Sequence, residues 1–168
     1  VTLVNASVSV EPPMFVDVVN VTSAADMADV VKSKAAEQDI IIMTAAVADF
    51  CPSHPADEKI KKNDSSYESV IELERTEDIL SYLGAHKAKG QLICGFSMET
   101  QNMLENSKAK LAKKNADMIV ANNLKVAGAG FGTDTNVVTL ITADVCTELE
   151  IMDKSCVAAR IMDRLLQM

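Results

Sequence analysis

Asp39 to Ala46 is apolar almost throughout, and a strand of that composition needs cover on both faces, as in a parallel sheet flanked by helices. Gln91 to Phe96 and Met118 to Ala121 read the same way. Segments with helical spacing of apolar residues lie between these runs, and strands joined through helices must be mostly parallel. The expected fold is α/β, a Rossmann-like three-layer sandwich whose mostly parallel sheet ends in a late β-hairpin.

The remaining elements follow from local signals. Val1 to Val4 is a short β-branched strand, ended by the stiff turn Glu11-Pro12-Pro13. Ser23 is placed to cap a helix through about Gln38, with Met27, Val30, Val31 and Ala35 on one face. Val70 to Glu74 alternates as a half-exposed strand. Thr76 is the expected N-cap of a helix through Lys89, with Ile79, Leu80 and Leu83 inward and Gly90 at its end. Glu99 to Asn115 reads as a lysine-rich helix. Val137 to Thr142 and about Thr147 to Ile151 make the hairpin, and Ser155 caps a last helix that turns Val157, Ala158, Ile161 and Leu165 to the core. Gly128 to Gly132 lacks the spacing and the strand-to-helix position of a dinucleotide fingerprint.

Composition narrows the function. With 168 residues a single domain, 1–168, is expected. No apolar run approaches the ~20 residues that span a bilayer, and the amino terminus carries no basic-then-apolar leader. A cytoplasmic protein is expected. Cys51, Cys94, Cys146 and Cys156 form no C-x-x-C pair and no metal spacing with His54 or His86, which argues for reduced thiols and against zinc. A net charge of −8 disfavours nucleic acid as partner. An anionic ligand must then be met locally, and lysines gather at 59–62 and 108–114.

The first of these clusters, Lys59-Ile60-Lys61-Lys62, begins nine residues after the end of the run Thr44-Ala45-Ala46-Val47-Ala48-Asp49-Phe50. Ligands of open α/β sheets sit above the carboxyl ends of the strands, where small side chains let a base approach the backbone. The long polar stretch Cys51 to Ser66, rich in Pro, Lys, Asp and Ser, is the kind of loop that acts as a flap. On its own, an Ala-Ala-Val-Ala run is more often the mark of tight strand–helix packing, and three lysines beside Asp57 and Glu58 are usually a solvated patch.

Taken in order, Thr44-Ala45-Ala46-Val47-Ala48-Asp49, Lys59-Ile60-Lys61-Lys62, Thr76-Glu77-Asp78-Ile79-Leu80, Gly95-Phe96-Ser97-Met98-Glu99-Thr100, Lys110-Leu111 with Lys114, Asp117 with Ile119-Val120-Ala121-Asn122, and Gly130-Phe131-Gly132-Thr133-Asp134-Thr135-Asn136 closely resemble the phosphopantothenate–cysteine ligase family of bacterial coenzyme A biosynthesis. The resemblance covers essentially the whole chain. Members are usually the C-terminal half of a bifunctional flavoprotein that also carries a flavin-dependent decarboxylase. It implies a two-step reaction. The carboxylate of 4′-phosphopantothenate attacks the α-phosphate of CTP with Mg²⁺, giving an acyl-cytidylate and pyrophosphate, and the amine of cysteine then displaces CMP.

By the same resemblance Lys59, carried on the flap, assists acyl-cytidylate formation. Asp49 and the backbone of Met43, Thr44 and Ala45 hold the nucleotide, and Glu77, Asp78, Ile79 and Leu80 form a turn contacting CTP; Glu77 stands where the family commonly has Pro. Phe96 packs at the ligand, although a Phe ending a buried strand also reads as core. Lys110 and Lys114, at i and i+4, reach the nucleotide from one helix face. Metal ligands are not identified. The family also has a first βα unit, with a Gly-Gly-Thr turn and an Asn-x-Ser-Ser-Gly-Lys segment, and this chain begins on what looks like the second strand. That leaves a non-catalytic nucleotide-binding or oligomerisation fragment of the same ancestry as the alternative. A Rossmann oxidoreductase is disfavoured, since neither a glycine fingerprint nor a Tyr-x-x-x-Lys pair is present. The resemblance implies a homodimer formed partly through the late β-structure, and Val137, Val138, Leu140 and Ile141, which make the hairpin apolar on two faces, point the same way.

Overall fold

A computed structural model describes residues 1–6, 8, 10–56, 58–59, 70–99, 102–123, 130 and 132–168. They group into two compact units, Val1–Val30 with Ala46–Asp78 and Val31–Ala45 with Ile79–Met168.

In the first unit β1 (Thr2–Ala6) pairs in parallel with β2 (Asp17–Val21), Thr2 lying opposite Asp17. The second strand was not anticipated. It begins four residues after Pro13, and its Asn20 side chain accepts a 3.0 Å hydrogen bond from Asn5 on β1. Helix α1 (Ala24–Ala35) is capped as expected. Ser23 Oγ accepts the Asp26 N–H at 3.1 Å, and the Asp26 carboxylate accepts the Ser23 N–H at 2.9 Å. This is a reciprocal capping box. The Thr22 hydroxyl, then Ser23, hold the Asp26 carboxyl below its ordinary pKa.

β4 (Phe50–Pro52) pairs antiparallel with β5 (Leu73–Arg75), with Phe50 opposite Arg75. Two expectations are corrected here. Cys51 and Pro52 belong to a strand rather than to the polar loop, and the strand expected from Val70 begins at Leu73, because its antiparallel partner ends at Pro52, opposite Leu73. The ladder is extended by Ser53 N–H to Glu72 O at 3.0 Å. Of the stretch Cys51 to Ser66, positions 57 and 60–66 lie outside the described residues.

The second unit is built on a five-stranded sheet. Its parallel part is β3 (Ile40–Met43), β6 (Leu92–Glu99) and β7 (Met118–Asn123). β9 (Val138–Ile141) runs antiparallel to β7, and β10 (Cys146–Glu148) closes the hairpin, giving the order β10-β9-β7-β6-β3. β8 (Thr135–Asn136) and β11 (Met152–Asp153) form a separate antiparallel pair. Three helices complete the unit: α2 (Ile79–Ala85), α3 (Met103–Lys113) and α4 (Lys154–Leu165).

Strand alternation divides the apolar residues between two layers. Cys94, Met118, Val120, Val138 and Leu140 pack with Val157, Ile161 and Leu165 of α4, joined by Ile40, Ile42, Leu92 and Phe96. On the other face Gly95 and Ile119 meet Leu80 of α2, and Ser97 shares a buried 2.9 Å hydrogen bond with Ser107 of α3. Helices on both faces of a mostly parallel sheet are the expected three layers. β3 is shorter than Asp39 to Ala46 and only half-buried, since it ends this sheet. Both apolar faces of β9 are covered by the chain itself, all four residues being buried. The hairpin's composition therefore carries no argument for a second copy.

Helix ends differ from expectation for local reasons. α1 stops at Ala35, where the Gln91 amide donates to the carbonyls of Ala35 and Gln38 at 2.7 and 2.6 Å. α2 begins three residues beyond Thr76, which is engaged elsewhere, and it ends before Gly90, whose φ of 84° serves the turn into β6. α3 starts at Met103 because β6 runs on to Glu99. Asp153, not Ser155, occupies the N-cap of α4, and Ala158 is exposed while Val157, Ile161 and Leu165 are buried.

Candidate functional site

In the second unit, the carboxyl-terminal half of β6 gathers several of the expected residues. Met43 ends β3 opposite Gly95. A Cβ at Gly95 would stand 2.6 Å from Leu80 Cδ2 and 3.1 Å from Ile119 Cδ1, so the missing side chain is what lets α2 lie on the strand. Next along β6, the Phe96 carbonyl accepts Lys110 Nζ at 2.8 Å. One turn further on α3, Lys114 Nζ donates to Ser81 Oγ at 3.0 Å. The two lysines thus share a helix face, one reaching the middle of β6 and the other α2. Two ammonium groups there suit a polyanion.

Other residues in this unit divide by exposure. Thr44 and Ala45 follow β3 as exposed backbone without regular structure. Ile79 is buried and Leu80 half-buried, so both act through packing. The Phe96 ring belongs to the apolar layer under α4, while its carbonyl faces Lys110. That packing is in line with its core reading.

The first unit holds the rest. Thr76 donates its N–H to the Asp49 carbonyl at 3.0 Å and its hydroxyl to the Ala48 carbonyl. A residue expected to cap a helix instead ties the Ala48–Asp49 backbone to the segment carrying Glu77 and Asp78. Asp49, Glu77 and Asp78 are all exposed, as is Lys59. The β4–β5 pair flanks a groove lined by Pro52, His54, Pro55, Ala56, Val70, Ile71 and Glu72. Lys61 and Lys62 lie outside the described residues.

Sequence reasoning missed Ser81 and Gly84, and it quoted Asp117 in a motif without giving it a role. Gly84 had a signal, since glycine inside a helical pattern often marks a close approach. Asp117 closes the other end of β6: its carboxylate accepts the Ile93 N–H and Lys87 Nζ, both at 2.7 Å, and its own N–H donates to Ile93 O at 2.8 Å. Burial, and secondly the Asp117 charge, push the Cys94 thiol up to about 12. Cys94 stays protonated near neutral pH and is a packing residue, not a nucleophile. In the native protein iodoacetamide is expected to spare Cys94 while modifying the exposed Cys146 and Cys156, as read by peptide mass mapping. Alkylation of Cys94 at the rate of the exposed thiols would contradict its burial.

Among the described residues no cluster of three or more His, Cys, Asp or Glu could hold a metal ion, and no helix is long and apolar enough to cross a membrane.

Comparison with known proteins agrees with this architecture. The coenzyme A biosynthesis bifunctional protein CoaBC of Bacillus subtilis (strain 168) is 45% identical over 98% of this chain and 40% of its own length. A cysteine/cysteine sulfinic acid decarboxylase from an unknown prokaryotic organism is 44% identical over 99% of the chain and 46% of its own. The chain therefore spans less than half the length of these relatives. The crystal structure of the C-terminal domain of a CoaBC protein superposes with a TM-score of 0.79 at 40% identity, covering 99% of this chain and 74% of that one. Residues 1–168 match the family described as the DNA/pantothenate metabolism flavoprotein C-terminal domain, and the chain belongs to that family.

Proposed function

We propose that this chain is the part of a coenzyme A biosynthesis protein that joins cysteine to 4′-phosphopantothenate, using CTP through an acyl-cytidylate. The observation that carries this is the 45% identity to CoaBC across nearly the entire chain. The lysines paired on one face at the end of α3 support a phosphate-bearing ligand. The chemistry calls for such groups. Attack of a carboxylate on a phosphate brings two anions together, and the protein's contribution is fixed positive charge and alignment rather than a nucleophile of its own.

In this reading Lys110 and Lys114 bind the triphosphate, and Lys59 meets the charge that develops as pyrophosphate leaves. Met43, Thr44, Ala45 and Asp49 offer backbone groups and a carboxylate to the cytidine, with Glu77, Asp78, Ile79 and Leu80 beside it. A magnesium ion in this reading is carried by the phosphates and water, the mode in which it needs few protein ligands. The second relative's name supports a decarboxylase on the remainder of such polypeptides. A homodimer remains part of the proposal through the family resemblance.

The test separates the first chemical step from the second. In the protein bearing this chain, CTP and 4′-phosphopantothenate without cysteine should release pyrophosphate, and adding cysteine should release CMP. Pyrophosphate release that does not depend on phosphopantothenate, or that proceeds equally with ATP, would sink the assignment. Nucleotide binding without pyrophosphate release would favour the non-catalytic binding module instead.

A further inference from the structure

Helix α2 holds the end of α3 at two points one turn apart. At Gly84 a Cβ would lie 1.8 Å from the Lys114 carbonyl oxygen, a separation no side chain can occupy. Asn115, in the left-handed region at φ 48°, returns its amide to the Gly84 carbonyl at 2.8 Å. Three residues earlier on the same helix, Ser81 Oγ accepts Lys114 Nζ at 3.0 Å. Residues i and i+3 share a helix face, so the main chain of Lys114 and its ammonium are both registered to α2. Lys110 is held differently. One partner of its ammonium is the Phe96 carbonyl, which no substitution removes, whereas a partner of Lys114 is the Ser81 side chain.

We propose that Ser81 is a positioning residue for the anionic ligand: its hydroxyl fixes the Lys114 ammonium so that the triphosphate of a nucleotide meets it already in place. A lysine side chain has large rotamer freedom, and ordering it before binding removes that cost from the binding step. This inference deepens the ligase reading and rests on it.

Titration calorimetry with CTP and with inorganic triphosphate tests it. Ser81→Ala is expected to weaken both ligands by roughly 5–10-fold, the scale of one hydrogen bond. Ser81→Thr, which keeps the hydroxyl, should restore binding to within about twofold of wild type. In a Lys114→Gln background Ser81→Ala should have no further effect, since the two residues act as one unit. Wild-type affinity in Ser81→Ala, or an undiminished effect in the Lys114→Gln background, overturns the proposal. A readout without ligand keeps the two claims apart: the ¹⁵N-labelled ammonium resonance of Lys114 should be slowed in exchange in the wild type and lost in Ser81→Ala. An ammonium resonance unchanged by Ser81→Ala overturns the positioning role whatever binds. Wild-type protein that binds triphosphate but not CTP overturns the ligase reading, and weakened triphosphate binding in Ser81→Ala still supports this one.

Discussion

Gly84→Ala is expected to destabilise the protein by about 3 kcal/mol and to lower its melting temperature by roughly 6–12 °C. The sign is informative, because glycine to alanine within a helix ordinarily stabilises by up to about 1 kcal/mol. Here the new Cβ would meet the Lys114 carbonyl oxygen at 1.8 Å, its carbon at 2.8 Å and Asn115 Cβ at 3.2 Å. The first two are backbone and cannot swing aside, so α2 and the end of α3 must separate. The Asn115 hydrogen bond to Gly84 and the Lys114 bond to Ser81 would be lengthened with them. Gly95→Ala is the useful comparison. Its Cβ meets Leu80 and Ile119 only at the ends of their side chains, so its cost should be smaller. A Gly84→Ala melting temperature within about 2 °C of wild type by calorimetry would refute the close packing of these helices.

What could be seen in the sequence was whatever repeats at a fixed spacing. The apolar runs at 91–96 and 118–121 became β6 and β7, and the hairpin strand expected over 137–142 contains β9. Ser23 was readable as a cap because the bond it makes is three residues away. Contacts between distant residues were not readable. Thr76 looks like an N-cap by local chemistry, yet its hydrogen bonds go to Ala48 and Asp49. The same limit hid β2, since parallel pairing with β1 has no local signature, and it turned the two-faced apolarity of β9 into an argument for a partner that the chain's own helices satisfy. At the candidate site, the lysine spacing at 110 and 114 was legible and its anchoring was not. Nothing in a sequence shows that Ser81 would meet Lys114.

Lys59→Gln is expected to slow formation of the acyl-cytidylate by roughly 10²-fold, the loss that follows removal of one donor aimed at developing charge. Lys110→Gln and Lys114→Gln should differ in kind. Their ammonium groups are anchored to the Phe96 carbonyl and the Ser81 hydroxyl, and in the proposed reading they serve the ligand in its ground state as well as its transition state. Loss of such uniform binding raises KM for CTP and leaves kcat nearly unchanged. Lys59 is exposed, and an exposed charge is screened by water to about 1 kcal/mol at contact distance. A hundredfold effect is about 2.7 kcal/mol, so it requires Lys59 to work where water is excluded during the reaction. The prediction is thus also one about closure over bound nucleotide. Rapid-quench measurement of labelled CTP consumption in the presence of 4′-phosphopantothenate distinguishes the two classes of lysine. A Lys59→Gln protein with normal single-turnover rate and only a raised KM would place this residue with Lys110 and Lys114 as a binding group, and would leave the chemical step without the cation assigned to it.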